Sequence, residues 1–199
     1  MDEKESGGVF YSSEESPKPS NGETLALGNR ISVDGLLKLH LGCGDKYWQG
    51  YVNCDYAENW SGRKPDVACN LYDLPFEDES ASEAHAIHVV EHFPRVGIGT
   101  VLTEWHRVLV KGGTLAVECP CLEKIVRTLA SSENVGKKRL MSIFGLFGNV
   151  WEGKGMQHYW CYMVEEMRGL MLESGFSTAV AKQPIFHQQW RDMRIVATK

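Results

Sequence analysis

The sequence lacks any apolar stretch approaching the roughly 20 residues that a membrane-spanning helix requires, and its first residues are acidic and polar. We therefore expect no secretory leader, no membrane partner and a cytoplasmic location. Positive charge is also scarce: 21 Lys and Arg stand against 26 Asp and Glu, a formal net charge of -5. Because nucleic-acid binding relies on clustered Lys and Arg, no nucleic-acid partner is expected. The one tight basic run, Lys137-Lys138-Arg139, is typical of a solvated helix face.

No CxxC pair occurs, which makes a structural zinc site or a redox motif of that kind unexpected. Four of the six cysteines lie in apolar, strand-like runs, so reduced thiols in a reducing compartment are the simplest interpretation. Cys119-Pro120-Cys121 is the alternative, a pair suited to a metal or to redox chemistry, but no second pair completes a tetrahedral set. We predict no metal site. The six are Cys43, Cys54, Cys69, Cys119, Cys121 and Cys161.

The 199 residues correspond to one domain with a tail. Residues 1–30 are rich in Ser, Glu, Gly and Pro and carry few apolar groups, so they bury too little to offset their ordering entropy and are predicted to be a disordered tail. The folded domain is predicted to span residues 31–199.

The pattern after residue 35 alternates strands with helices, which favours a largely parallel sheet with helices on both faces. An apolar stripe from Ile98 to Leu109 predicts the clearest helix, and a second is predicted over residues 162–174, before Gly175. A loop joins the last two strands, so one of them should run antiparallel. Strands are predicted at residues 36–41, 51–55, 66–69, 84–90, 114–119, 176–181 and 193–198.

Four features follow the ends of the first four strands, where ligands bind in open α/β sheets. Gly42 and Gly44 permit close approach of a ligand to backbone N–H groups. Asp55 can accept hydrogen bonds from a ribose diol, Asn70-Leu71 can face an adenine, and His88 lies near the reactive end of such a ligand. Each feature alone also suits a turn, a cap or a loop. Their order together predicts a nucleoside ligand.

The glycine turn departs from the dinucleotide fingerprint. Tyr47 stands at the third glycine position, and only 11 residues separate Gly44 from Asp55, against about 20 in dinucleotide-binding folds. Little room remains for a helix whose N-terminus faces a pyrophosphate. A ligand without phosphates fits better, and an NAD-dependent oxidoreductase is kept as an alternative.

The motifs resemble those of class I S-adenosylmethionine-dependent methyltransferases, in particular the methyltransferase type 11-like group. The runs that carry the resemblance are LKLHLGCGDKYWQGYVNCD, NLYDLPFEDES, HVVEHFPR, LTEWHRVLVKGGTLAVECP and ESGF. The resemblance implies a Rossmann-like seven-stranded sheet of order 3-2-1-4-5-7-6 with strand seven antiparallel. It also implies S-adenosyl-L-methionine as the cofactor, with S-adenosyl-L-homocysteine as product.

By the same resemblance, nine residues would contact the cofactor. The methionine part would lie against Leu41, Gly42, Cys43 and Gly44, the ribose against Asp55, the adenine against Asn70 and Leu71, and the methionine and sulfonium against Ile87 and His88. Two residues depart from the pattern: His40 stands where an acid is usual, and Lys46 where a third glycine is common. Asn70 replaces the more usual Asp.

The resemblance implies a transferase of class EC 2.1.1.-, whose step needs positioning more than a covalent nucleophile. For a hydroxyl acceptor, a base of near-neutral pKa helps, and the candidates are His88, Glu91 and His92, with His158 further along. Glu91 and His92 have a structural alternative, fixing the start of the following helix.

Residues 135–160 are predicted to form an acceptor-binding insertion, a lid in which Trp151, His158 and Tyr159 contact the acceptor. Packing against the sheet or a dimer partner is the alternative, and monomer and homodimer both stay open. Family resemblance suggests a small-molecule acceptor, such as a sugar or glycan intermediate methylated on oxygen or nitrogen. A non-catalytic module that binds S-adenosylmethionine is the second functional alternative.

Overall fold

A computed structural model describes residues 35–56, 63–131, 136–149 and 156–199. The predicted tail over residues 1–30 and the predicted acceptor residue Trp151 lie outside the described residues, as do other parts of the predicted lid. Among the described residues, no helix combines the length and apolar character needed to cross a membrane.

Seven strands form one sheet in the order β3-β2-β1-β4-β5-β7-β6. β7 runs antiparallel to both β5 and β6, and the remaining pairs are parallel. The predicted order and the antiparallel last strand are therefore confirmed. The strands are β1 Leu37–Leu41, β2 Val52–Asp55, β3 Val67–Ala68, β4 Ala81–Ile87, β5 Leu109–Pro120, β6 Thr178–Lys182 and β7 Asp192–Thr198.

Two strands, β4 and β5, differ most from their predicted bounds. β4 begins at Ala81 and ends at Ile87, because His88 adopts a positive φ of 56° and the chain then forms a 3-10 helix over Val90–His92. β5 begins at Leu109, which pairs with Ala81. Apolar residues alone do not distinguish the last turn of a helix from the first residues of a strand, so the sequence pattern missed this join.

Within the described ranges, four α-helices accompany the sheet: α1 Ile98–Val108, α2 Leu122–Ala130, α3 Lys137–Phe147 and α4 Val164–Glu173. α1 and α4 match the two predicted helices. α2 was not predicted, and α3, which falls in the segment interpreted as an insertion, was predicted only as a helix face at its start. Lys137, Lys138 and Arg139 form the exposed first turn of α3, as predicted.

The core lies between the sheet and α1 and α4. Trp105 of α1 is fully buried, and its indole Nε1 donates a hydrogen bond of 3.0 Å to the Leu71 carbonyl oxygen. α4 contributes Met167 and Met171 to the same cluster. All six cysteines are free thiols, and five are buried.

The connection from β1 to β2 contains no helix, and this places a glycine turn at the carboxyl edge of the sheet. Residues 42–51 make the connection. Because β1, β2 and β4 are parallel neighbours, their carboxyl ends meet at this edge. The predicted site residues that follow these strands are thereby brought together.

We expect Trp105→Ala to lower the free energy of unfolding by about 3–5 kcal/mol, because it removes a fully buried indole and leaves the Leu71 carbonyl without its donor. Urea denaturation followed by circular dichroism measures the change. Trp160→Ala, at a side chain that is 43% exposed, serves as the control and should cost less than about 1 kcal/mol. Equal losses in the two variants would contradict this placement of the core.

Candidate functional site at the carboxyl edge

The turn after β1 is built on two glycines with positive φ, 66° at Gly42 and 50° at Gly44. A Cβ at Gly42 would lie 2.5 Å from Cγ2 of Val89, so this glycine allows the turn to pack against the chain after β4. A Cβ at Gly44 would meet nothing within 4 Å. The space beside Gly44 is therefore open, whereas the space beside Gly42 is filled by protein.

Asp55 holds this turn from the tip of β2. Its Oδ2 accepts a hydrogen bond of 2.7 Å from the Gly44 backbone N–H, and its Oδ1 accepts one of 2.7 Å from that of Tyr56. A carboxylate oxygen has more than one acceptor direction. Asp55 therefore both fixes the glycine turn and keeps capacity to accept from a diol.

Asn70 and Leu71 lie after β3, at the same edge. The Asn70 side-chain oxygen accepts a hydrogen bond of 3.0 Å from the Tyr72 backbone N–H, which shapes a local turn. Leu71 is buried at the margin of the core. This hydrogen bond supports the alternative to adenine binding, in which Asn70 is a loop residue that stabilises its own turn.

A cleft of about 160 Å³ lies between the glycine turn and the end of β4. The predicted residues Cys43 and Ile87 line it, together with Trp48 and Phe186, whose rings stack at 4.7 Å. Small-molecule sites are usually about 300–1,000 Å³. The cleft is smaller than that because these two aromatic rings occupy part of it. His40, Lys46 and His187 complete its lining.

A buried carboxylate on β5 holds in place the loop of residues 185–187, here called the aromatic loop because it carries Phe186. Glu118 accepts hydrogen bonds of 2.9–3.0 Å from the backbone N–H groups of residues 185–187, and Arg194 lies 3.3 Å from the same carboxylate. The sequence pattern did not indicate Phe186 and His187 as site residues, since no local signal connects this loop with β5. A lone Glu in the apolar run of β5 was the only hint.

His40 occupies the position where the resemblance leads one to expect an acid. Its Nδ1 lies 3.1 Å from Oδ1 of Asn53, and its ring stacks on Trp48 at 4.0 Å. Burial lowers the pKa of His40 to about 4, because a charged imidazole is poorly solvated there. At neutral pH the residue is therefore uncharged.

His88 lies between two buried carboxylates. Its Nδ1 is 2.9 Å from Oε1 of Glu91, and its Nε2 is 3.6 Å from Oδ2 of Asp192, the first residue of β7. Burial alone would lower the pKa of His88, but the two negative charges outweigh it and raise the pKa to about 9. The same pairing overcomes the effect of burial on the Glu91 carboxyl and lowers its pKa to about 2.

Two more histidines approach Glu91. His92 Nδ1 lies 2.9 Å from the Gln157 carbonyl oxygen, and His158 Nδ1 lies 3.0 Å from that of Gly145. The backbone N–H of Tyr159 donates to the Glu91 carbonyl oxygen at 2.8 Å. The structure thus brings the predicted base candidates together with two of the three predicted acceptor residues.

α3 belongs to the predicted lid, and it packs on α2 through Gly145. A Cβ at Gly145 would lie 2.8 Å from Cδ1 of Ile125. The opposite side of α3 exposes Leu140, Ile143 and Phe147. This described part of the segment therefore has one packed side and one apolar exposed side.

The family model of the methyltransferase domain matches residues 39–117 of this chain. That range contains most of β1, β2 to β4, α1 and most of β5, and so includes all nine residues that the resemblance assigns to the cofactor. A comparison with curated protein sequences gave no match.

Solved structures share the fold at low sequence identity. An S-adenosylmethionine-dependent methyltransferase from Mesorhizobium loti is 16% identical (TM-score 0.54; 89% of this chain, 96% of that one). Another S-adenosylmethionine-dependent methyltransferase, from Thermotoga maritima, is 17% identical (TM-score 0.53; 81% of this chain, 81% of that one).

The 1,6-didemethyltoxoflavin-N1-methyltransferase of Burkholderia thailandensis, solved with 1,6-didemethyltoxoflavin and S-adenosylhomocysteine, is 19% identical (TM-score 0.55; 81% of this chain, 70% of that one). Some matched chains are much longer, and this chain spans 36% of one from Nostoc punctiforme (TM-score 0.46).

The lowered pKa of His40 predicts a pH dependence of stability. The unfolded state binds more protons than the folded state between pH 6.5 and about 4, so the contribution of a neutral His40 is lost as pH falls through this window. Between pH 7.5 and 5.5, the free energy of unfolding should fall by about 1 kcal/mol more in the wild type than in His40→Gln. Urea titrations at both pH values measure this, and equal falls would contradict it.

Proposed function

We propose that this chain is a class I S-adenosylmethionine-dependent methyltransferase (EC 2.1.1.-) that methylates a small-molecule acceptor, and that the acceptor is a sugar or glycan intermediate. One observation carries the proposal: His92 and His158 surround the buried carboxylate of Glu91 beside two exposed aromatic side chains. This cluster follows β4, next to the glycine turn. We also propose that the chain acts in the cytoplasm, which is supported by its six free thiols.

The cofactor supplies an electrophilic methyl group and a sulfur leaving group that departs neutral. We propose that the chain holds it with the nine residues inferred above. The open space beside Gly44 and the acceptor capacity of Asp55 fit a nucleoside with a methionine tail. The cleft is narrow, so Trp48 and Phe186 must move apart when the cofactor enters.

In the proposed step, the acceptor oxygen or nitrogen attacks the methyl carbon while the carbon–sulfur bond breaks, and the acceptor proton passes to a base. The geometry favours His92 or His158 as that base over the earlier candidate His88. Both have Nδ1 against a carbonyl oxygen, which leaves Nε2 to accept a proton. His88 lies between two carboxylates, which stabilise its protonated form, so it acts as a positioning residue.

The exposed side chains beside the cluster support a ring-shaped acceptor. Tyr159 is 50% exposed and Trp160 is 43% exposed. Aromatic rings offer a flat apolar surface with a polar group at one edge, which suits a ring that presents hydroxyl groups. Trp151, proposed as a third contact, lies outside the described residues.

We retain residues 31–199 as the methyltransferase domain, residues 1–30 as its tail and residues 135–160 as the lid. The exposed apolar side of α3, formed by Leu140, Ile143 and Phe147, supports a segment that contacts an acceptor or a second molecule.

A matched glycine pair tests the cofactor site. Gly44 and Gly50 both have positive φ, and a Cβ on either would meet nothing within 4 Å. Alanine at each position therefore costs a similar backbone strain of about 1 kcal/mol. Gly44→Ala should weaken S-adenosylhomocysteine binding at least tenfold, since its methyl group enters the cofactor space. Gly50→Ala should leave the affinity unchanged.

Isothermal titration calorimetry of the two variants and the wild type, with NAD(H) as a second ligand, gives the comparison. Equal affinities for S-adenosylhomocysteine in both variants would remove the glycine turn from the site. Binding of NAD(H) in preference would favour the oxidoreductase alternative.

Turnover tests the acceptor. The chain is incubated with methyl-labelled S-adenosylmethionine and separate pools of sugars, sugar nucleotides and aromatic amines, and labelled products are identified by mass spectrometry. We expect label in a sugar-containing pool, with His158→Asn at least about 100-fold slower if it is the base. Label in the amine pool alone would contradict the sugar proposal. Cofactor binding without label in any pool would favour the non-catalytic alternative.

A further inference from the structure

The hydrogen bonds of His92 and His158 determine which ring nitrogen carries the proton. Each Nδ1 faces a backbone carbonyl oxygen, at 2.9 Å from Gln157 and 3.0 Å from Gly145. A carbonyl oxygen only accepts, so each Nδ1 must carry the hydrogen. The Nε2 atom of each neutral ring then presents a lone pair. This is the arrangement of histidines that bind metal ions, whose other nitrogen is held by an outer partner.

The carboxylate of Glu91 supplies further lone pairs close to the two imidazole rings. Its side chain is fully buried, and apart from the ion contact with His88 neither oxygen accepts a hydrogen bond from the described residues. Atoms able to act as ligands in Glu91, His92 and His158 all lie within 4.8 Å of one another. His88 neutralises the carboxylate at Oε1, but Oε2 has no hydrogen-bond partner among the described residues, and a cation between the three side chains would satisfy the converging acceptors.

We propose that Glu91, His92 and His158 bind one zinc ion. Two imidazole nitrogens and one carboxylate oxygen form an established ligand set for zinc with an open fourth position. At metal–ligand distances of about 2.1 Å, tetrahedral ligand atoms lie about 3.4 Å apart. His158 Nε2 and Glu91 Oε1 are 4.0 Å apart. This pair must approach by about 0.6 Å, and the other ligand atoms, which lie within 4.8 Å of one another, by no more than about 1.4 Å, to close the site.

The surroundings support zinc rather than magnesium. Magnesium prefers six oxygen ligands, and this cluster offers two nitrogens. His88 Nδ1, 2.9 Å from the same oxygen Oε1 of Glu91, restrains the carboxylate as an outer partner does in zinc proteins. The sequence predicted no metal here because the ligands show no recognisable spacing: Glu91 and His92 are adjacent, and His158 comes from a distant segment.

The open fourth position gives the ion a role in the proposed methyl transfer, and this part of the inference rests on the proposed function. A hydroxyl bound to zinc loses its proton more readily. The ion would therefore replace the imidazole as the group that activates the acceptor oxygen, and the proton would pass to solvent water, because Nε2 of both imidazoles would then be a zinc ligand.

Metal content and affinity test the site without reference to turnover. The full chain is stripped with a chelator and dialysed, then titrated with zinc alone or magnesium alone, and bound metal is measured by mass spectrometry. We expect one zinc per chain and no magnesium. His158→Ala should weaken zinc binding at least tenfold, with His92→Gln as the second variant should the first fail to fold by circular dichroism.

Two controls separate the cluster from other zinc-binding groups. His106→Ala removes a histidine of α1 outside the cluster, and Cys161→Ser removes a nearby thiol that is free. Both should keep wild-type affinity. No zinc in the wild type, wild-type affinity in both cluster variants, or a loss confined to Cys161→Ser would overturn the inference. The affinity for S-adenosylhomocysteine, measured in parallel, shows separately whether the proposed function fails.

Discussion

The contact of His88 with two buried carboxylates is the constraint on which the carboxyl edge depends. Glu91 and Asp192 lie in distant parts of the sequence, and neither is exposed to water. Breaking a buried ion pair by removing one partner typically costs about 3–5 kcal/mol, because a charge is left uncompensated. The end of β4 and the start of β7 are therefore held together by charge. Arg191, 2.6 Å from Asp192, completes the neutralisation.

Alternate residues of the same strands build the core and the site. In β1, Leu39 and Leu41 point into the core, while His40 between them stacks on Trp48. In β5, Val117 and Cys119 are in the core, and Glu118 holds the aromatic loop. Because successive side chains of a strand point to opposite faces, the packed face gives the site residues rigid backbone positions.

Local patterns were sufficient for the alternation of strands and helices, for α1 and for the placing of Gly44 and Asp55 at one edge of the sheet, whereas the strand order came from the family resemblance. In each case the information lies within a short segment: a buried strand, a helical stripe, or a tight turn followed by a nearby acid. The sequence did not indicate that Phe186 covers the cleft, nor that His158 reaches Glu91. Both contacts join segments far apart in the chain, and their geometry depends on how the last two strands and α3 pack.

The position of β7 has a consequence for synthesis on the ribosome. This strand is made after the other six, yet it lies between β5 and β6 rather than at the margin of the sheet. A nascent chain that has emerged only as far as β6 therefore exposes the backbone edge of β5, a surface prone to pairing with other chains. Asp192, which supplies the second negative charge to His88, arrives with that strand. The completion of the sheet by β7 and the pairing of His88 with Asp192 therefore both occur late in translation, when the same strand emerges.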